Sequence, residues 1–267
     1  MNLYDEILMK LDYHEITLKI EKFIKTYLEQ ANAKGVVVGL SGGVDSSTVA
    51  TLLVRALGKE KVLGLIMPHK ETSPDDIKDA IALAKLLNIN YRIIEISKPL
   101  EDIVEISPWL KKLTNKVVKG NIIARLRMIV LYYHANALNY LVAGTGDKSE
   151  YLLGYFTKFG DGAADFFPIL DLYKTQVRAL AKHLGVPEKI YSKPSSPGLW
   201  KGHLAREELG FEYDIIDQVL YGYFEKKLSV NAIAHIIGIS VNDVKDILTR
   251  VKMSEHKRKL PPYPKVS

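Results

Sequence analysis

Seven consecutive residues, Ser41-Gly42-Gly43-Val44-Asp45-Ser46-Ser47, combine what a polyphosphate site requires. Two adjacent glycines let the backbone approach a bulky anion and adopt positive φ. Three serines add hydroxyl donors. A helix starting here would turn its free N–H groups and its dipole toward the anion. The run is not a Walker loop, which ends in Gly-Lys-Ser/Thr. Asp45 would repel phosphates unless a divalent cation bridges them. The plainer reading is a helix start with Ser and Asp caps, which two consecutive glycines disfavour. Gly144-Thr145-Gly146 is no dinucleotide fingerprint either, because Ser149 stands where the third glycine belongs.

The elements that must position these residues follow from apolar patterning. Leu3 to Ala31 carries Ile7, Leu8, Leu11, Ile16, Ile20, Phe23, Ile24 and Tyr27 at helical spacing and predicts one or two amphipathic helices before Gly35. Val36 to Leu40 is short and β-branched, a buried strand leading directly into the serine-glycine loop. Helical periodicity from Ser46 stops at Gly58. A second strand, Val62 to Met67, ends at Pro68. Ser73 as N-cap with Pro74 at the first position predicts a helix to Leu87. A third strand, Tyr91 to Ile96, is followed by helical stretches over Leu100 to Leu113 and Ile122 to Leu138, then a fourth strand, Tyr140 to Ala143. Strands alternating with helices imply an α/β fold: a doubly wound parallel sheet flanked by helices, with additional C-terminal helices. Ligands in such sheets sit beyond the carboxyl ends of the strands, here after Leu40, Met67, Ile96 and Ala143. Ser192 to His203, with Pro194, Pro197, Gly198 and Gly202, reads as a mobile loop.

Composition narrows the chemistry. The 267 residues include 37 Lys plus Arg against 31 Asp plus Glu, a net charge of +6, which favours anionic partners beyond the ordinary solvated surface. The absence of cysteine excludes disulfides, thiolate metal sites and a cysteine nucleophile on this chain, and fits a cytoplasmic setting. Charges scattered through Met1 to Lys10 argue against a signal peptide, and no apolar run is long enough for a membrane span. The 7 histidines show no His-Glu-x-x-His zinc spacing.

The Ser-Gly-Gly-Val-Asp-Ser run resembles the pyrophosphate loop of the ATP pyrophosphatases, which cleave ATP between its α and β phosphates and adenylate an oxygen of the substrate. Within that superfamily, Gly144-Thr145-Gly146-Asp147-Lys148-Ser149-Glu150 continuing to Phe156-Thr157-Lys158-Phe159-Gly160-Asp161-Gly162-Ala163-Ala164-Asp165, and Pro168-Ile169-Leu170-Asp171-Leu172-Tyr173-Lys174-Thr175-Gln176, closely resemble NAD synthetase. Asn121 to Met128 and Gly198-Leu199-Trp200 extend the likeness, which runs from about Gly35 to about Lys257.

This resemblance implies a single synthetase domain over residues 1–267: N-terminal helices (1–34), α/β core (35–190), mobile loop (192–206) and C-terminal helices (207–267). It implies ammonia-dependent amidation of deamido-NAD to NAD, with ATP yielding AMP and pyrophosphate through an acyl-adenylate. By the same likeness Gly39, Leu40, Ser41, Gly42, Gly43, Val44, Asp45, Ser46, Thr145, Lys174 and Ser196 would contact ATP. Arg125, Lys158, Asp165, His256 and Lys257 would contact deamido-NAD. Asp45 and Glu150 would hold Mg²⁺ with phosphate oxygens and water. Arg127 and Met128 read as helix-packing partners, and an isolated Lys174 would ordinarily be solvated. Related enzymes are homodimers with the dinucleotide at the interface, so Leu100 to Leu138 would include pairing helices. Glutaminase-coupled relatives use a cysteine nucleophile, so free ammonia is the expected nitrogen source here.

The loop departs from its relatives, many of which carry Gln-Thr-Asp-Glu where this chain has His203-Leu204-Ala205-Arg206. Val230 to Val251, followed by a basic stretch to Lys259, has the look of a helix-turn-helix and keeps a nucleotide-sensing DNA-binding regulator as an alternative. A tRNA-modifying ATP pyrophosphatase is the other, which the Phe156 to Asp165 segment disfavours. No membrane or nucleic-acid partner is expected on the main reading.

Overall fold

A computed structural model describes residues 2–9, 11–110 and 112–266. Met1, Lys10, Lys111 and Ser267 lie outside the described residues. The readings of the first ten residues, of the Leu100–Leu113 helix and of the C-terminal segment run over them.

Four strands, β1 (Gly35–Gly39), β2 (Val62–Ile66), β3 (Asn90–Ile93) and β4 (Tyr140–Ala143), form a parallel sheet in the order β3-β2-β1-β4. The alternation of β1 explains its central place. Val36 and Val38 face one side and Val37 the other, and all are fully buried. Val37 is in register with Leu63 of β2 and with Val142 of β4. The chain winds outward from β1 to β3 and then returns to the opposite flank of β1. The switch in direction therefore falls between β1 and β4, and a crevice opens at their carboxyl ends.

Helices cover both faces. On one side α2 (Tyr13–Gln30), α3 (Val44–Leu57), α4 (Pro74–Leu86) and α8 (Lys174–His183) pack Ile24, Leu53, Leu83 and Leu180 against Val36 and Val38. On the other, α5 (Ser97–Glu105) and α6 (Lys116–Leu138) pack Leu100, Ile123 and Leu126 against Val37, Leu65 and Val142. A third cluster joins α7 (Lys148–Leu153), α10 (Ala205–Leu209), α11 (Tyr213–Phe224), α12 (Val230–Ile237) and α13 (Val241–Met253) through Leu153, Leu209, Ile216, Ile233, Val244 and Ile247. Two short helices, α1 (Leu3–Met9) and α9 (Glu188–Tyr191), complete the set among the described residues.

Several local expectations shift. The helical stretch over Leu100–Leu113 is broken: α5 ends at Glu105, and Pro108 starts a separate 3₁₀ turn to Leu110. Helix α3 starts at Val44 and α6 at Lys116, both earlier than the apolar period alone shows. Ser73 precedes α4 as expected, but its hydroxyl makes no capping bond. The α12–α13 pair is joined at Gly238 (φ +78°) and spends its apolar residues on the core. No helix among the described residues is long and apolar enough to cross a membrane.

Candidate functional site

The loop after β1 is built so that only glycine fits. Gly42 has φ +80°, and a Cβ there would stand 2.2 Å from the carbonyl oxygen of Asp76 at the start of α4. Gly43 is the N-cap of α3 and no side chain caps that helix start. Its first N–H groups have no intrahelical acceptor and suit an anion. The serines brace the loop. Ser47 Oγ donates to Gly43 O at 2.8 Å, and Ser46 Oγ lies 3.0 Å from Ser41 Oγ and accepts from Ser41 N at 3.2 Å.

Opposite the loop, the strand-end segment after β4 enters α7. Asp147 is its N-cap and accepts from Glu150 N at 2.8 Å, and Glu150 reaches back toward Asp147 N in a capping box. Lys174, at the first position of α8, is 1% exposed. Its Nζ lies 2.7 Å from Asp45 Oδ2, 2.8 Å from Glu150 Oε1 and 2.9 Å from Asp147 Oδ2. Burial works against this ammonium, but the carboxylates of Asp147, Asp45 and Glu150 outweigh it and hold Lys174 well above the ordinary lysine value. Burial pushes the Asp147 carboxyl up to about 7 even though Lys174 pulls it down, and Asp45 adds to the rise. Burial likewise holds Glu150 well above the ordinary glutamate range, with Asp147 and Asp45 adding to the shift. Asp147 was missed in the sequence, although its spacing to Glu150 is that of a capping box.

A cavity of about 700 Å³ opens on this cluster, a size suited to a nucleotide. Of the residues expected to contact ATP or metal, Gly39, Leu40, Ser41, Gly43, Val44, Asp45, Ser46, Thr145, Glu150, Lys174 and Ser196 line it, while Gly42 shapes the loop from behind. Ser196 Oγ donates to His203 O and accepts from Gly198 N at 3.1 Å. Arg127 and Met128, expected as packing residues, line the cavity as well. Arg127 Nε donates to Met67 O at 3.2 Å, and burial lowers its guanidinium to about 10.

The residues expected at deamido-NAD fall into two groups. Arg125 on α6 donates to Lys158 O at 3.2 Å, and Lys158 Nζ donates to His256 O at 2.8 Å. Lys257 lines the cavity and donates to Gly154 O at 2.8 Å and Phe156 O at 2.9 Å. Backbone carbonyls link Arg125 to Lys158 and Lys158 to the His256-Lys257 turn, and of these residues Lys257 lines the cavity while Arg125, Lys158 and His256 do not. Asp165 stands apart. Its Oδ2 accepts from Val142 N at 2.7 Å and its Oδ1 from Tyr132 OH at 3.4 Å, so its carboxylate serves the edge of β4.

The segment between α9 and α10 closes over the cavity. Lys193 Nζ lies 2.8 Å from Asp76 Oδ1 and 3.4 Å from Gly42 O, tying this segment to the phosphate loop. Trp200 stacks on His203 with ring centroids 3.4 Å apart and 12° between planes. His203, in the divergent part of the loop, is buried with Nε2 2.8 Å from Glu208 Oε2, whereas Arg206 faces solvent and pairs with Glu212.

A family model described as NAD synthase matches residues 16–261. A protein of Hyperthermus butylicus named NH(3)-dependent NAD(+) synthetase is 52% identical over 258 residues, spanning 96% of this chain and 92% of its own length. Among solved structures, an NMN synthetase from Francisella tularensis superposes with a TM-score of 0.84 at 36% identity, over 95% of this chain and 99% of that one. An NH3-dependent NAD synthetase from Campylobacter jejuni superposes at 0.81 with 35% identity, over 96% and 100%.

Proposed function

The chain belongs to the NAD synthase family, and from that premise we propose that it is an ammonia-dependent ligase converting deamido-NAD, ATP and ammonia to NAD, AMP and pyrophosphate. The observation that carries this reading is the buried Lys174 ammonium shared by Asp45, Asp147 and Glu150 beside the Gly42-Gly43 loop. That arrangement suits a reaction whose main demand is to position and neutralise polyphosphate.

The donor set fits Mg²⁺. Three carboxyl groups converge on one ammonium, so the cluster offers more oxygens than Lys174 takes up. Asp45 Oδ1 is buried without a hydrogen-bond partner. No three His, Asp or Glu side chains among the described residues are spaced to hold a metal alone. Asp45 and Glu150 would therefore supply two oxygens, with phosphate and water supplying the rest. When bound, the ion neutralises the charge that builds on departing pyrophosphate.

The chain's own residues account for the remaining work. The deamido-NAD carboxylate attacks the α-phosphorus of ATP, with pyrophosphate leaving into the loop from Ser41 to Ser47. The Lys174 ammonium turns from its carboxylates toward the phosphates. Ammonia then attacks the acyl-adenylate and AMP departs. Thr145 and Ser196, both on the cavity wall, hold the nucleotide. Arg125, Lys158 and Lys257 offer positive charge to a dinucleotide, with His256 next to Lys257 in sequence. Asp165 would act by fixing its own segment against β4. The chain forms one synthetase domain and works in the cytoplasm. It acts as a homodimer through the face of α6 that carries Arg125.

Incubation with deamido-NAD, Mg-ATP and ammonium should yield NAD and AMP in equal amounts. ADP in place of AMP would overturn α–β cleavage, and a folded protein making no NAD would sink the reading. The Francisella neighbour favours one second reading, amidation of the nicotinate mononucleotide. A higher kcat/KM on that substrate than on deamido-NAD would select it.

A further inference from the structure

Asp217 on α11 has none of its surface exposed, and no Lys, Arg or His of the described residues forms an ion pair with it. A carboxylate carried that deep is expensive unless its oxygens are well served by donors. Its three hydrogen bonds go to the two helix starts that carry the site. Oδ1 accepts from Ser149 Oγ at 2.5 Å, and Oδ2 accepts from both Thr175 N and Thr175 Oγ1 at 2.9 Å. Ser149 Oγ in turn accepts from Lys174 N at 2.9 Å.

Ser149 sits on α7 between Asp147 and Glu150, and Thr175 follows Lys174 on α8. The residue preceding α8 is Tyr173, whose side chain makes no capping bond. The first two N–H groups of α8 are served from elsewhere in the fold, Lys174 N by Ser149 and Thr175 N by Asp217. The helix that aims the lysine is thus capped by the helix that carries two of its carboxylates. The carboxylate of α11 locks the two together.

We propose that Asp217 is a positioning residue for Lys174, holding α8 against α7 so that the ammonium is set among the site carboxylates and within reach of the ATP phosphates. This rests on the ligase reading above, in which Lys174 acts on ATP. It also gives the C-terminal helical layer a part in nucleotide activation, although α11 places no charge on the cavity itself.

The test replaces Asp217→Asn, which keeps the shape but turns an amide N–H₂ toward Ser149 or Thr175. The KM for Mg-ATP should rise, and adenylation, read as ATP–pyrophosphate exchange, should fall by roughly 10–100-fold per folded molecule, the usual range for supporting partners. The KM values for ammonium and deamido-NAD should stay within about twofold of the parent, a smaller change than one lost hydrogen bond produces. A purely structural role would lower the folded fraction and leave the kinetics of the folded molecules unchanged. That result, or an equal rise in all three KM values, overturns the proposal. Should Asp217→Asn fail to fold, Ser149→Ala removes the α7–α8 link and one of the three bonds to Asp217, leaving Thr175 on its carboxylate, and should show the same ATP-selective defect, with Ser149→Thr restoring activity. Calorimetric binding of Mg²⁺ with α,β-methylene-ATP separates the two claims. If the wild type makes no NAD but still binds the analogue, weaker binding by the variants would leave Asp217 standing while the ligase reading falls.

Discussion

Nζ of Lys174 lies 2.7 Å from Oδ2 of Asp45, across 129 positions of sequence. The contact joins the loop after β1 to the first residue of α8, so the ends of two strands and a helix converge on one ammonium. The lysine is at once a clamp and a placeholder. It neutralises part of an acidic cluster whose carboxyls burial has already pushed upward at Asp147 and Glu150. On the ligase reading, the carboxylate oxygens not taken up by Lys174 would serve a divalent ion arriving with ATP. Removing one member of such a buried set costs about 3–5 kcal/mol when it leaves a charge unpaired. Lys174 keeps partners if any single carboxylate is lost, whereas the carboxylates lose their common partner if Lys174 is lost.

That asymmetry makes Asp45→Asn informative. Two carboxylates still hold Lys174, so the melting temperature should change by no more than about 4 °C. Turnover should fall by at least about a hundredfold, since the variant removes an oxygen that would serve the proposed Mg²⁺. Steady-state NAD formation and a thermal melt on the same preparation decide it. Near-normal activity refutes the metal role.

Gly42→Ala tests the loop geometry independently of charge. The φ of +80° is strained for alanine, and its methyl would stand 2.2 Å from Asp76 O. The backbone of α4 or of the loop must shift, at a cost of about 1–3 kcal/mol. The KM for ATP should rise with that for ammonium unchanged, and chemical denaturation should show the stability loss. Unchanged stability would mean that the loop and α4 do not meet as closely as the structure shows.

Local physics explains which features could be read in the sequence. β1, β2 and β4 were legible because short apolar runs ending at glycine or proline are local signals, and the loop from Ser41 to Ser47 was legible because turn chemistry is local too. Lys174 reads as a solvated helix residue until its carboxylates are seen, and they lie 24, 27 and 129 positions away. Asp217 gave no signal, since Ser149 and Thr175 are unremarkable without the fold. Asp165 shows the converse. The resemblance pointed to substrate, while its carboxylate is engaged by Val142 N and Tyr132 OH. Arg127 belongs to a helix by period and to the cavity by placement.

The exposed stripe of α6 predicts an interface. Val118, Ile129 and Tyr133 are 42%, 55% and 71% exposed, and Arg125 falls on the same face by helical spacing. The parent should run as a dimer in light scattering and an Ile129→Glu variant as a monomer. Its KM should rise for deamido-NAD and not for ATP, because Arg125 and Lys158 adjoin the stripe while the phosphate loop does not. A variant that stays dimeric would move the interface elsewhere.

Asp217 gives a pH dependence of defined sign. Burial raises its carboxyl from 3.8 to about 6, against the pull of its donors Ser149 and Thr175. A raised folded value means that the native state binds this proton more tightly than the unfolded chain does. The stability it contributes is complete below about pH 4 and is lost as the pH rises through about 6. A rise of about two pKa units corresponds to a loss on the order of 3 kcal/mol. Other acids titrate across the same range, so the quantity to read is the difference between wild type and Asp217→Asn, which cannot titrate there. Denaturant midpoints taken between about pH 4 and pH 7 should show the variant gaining on the wild type as the pH rises, and a flat difference would show that the carboxyl is not raised. The same variant should be the poorer enzyme at neutral pH, where the wild-type carboxylate is ionised. Relative stability gained while ATP activation is lost is the pattern expected of a buried charge that serves the position of Lys174 rather than the fold.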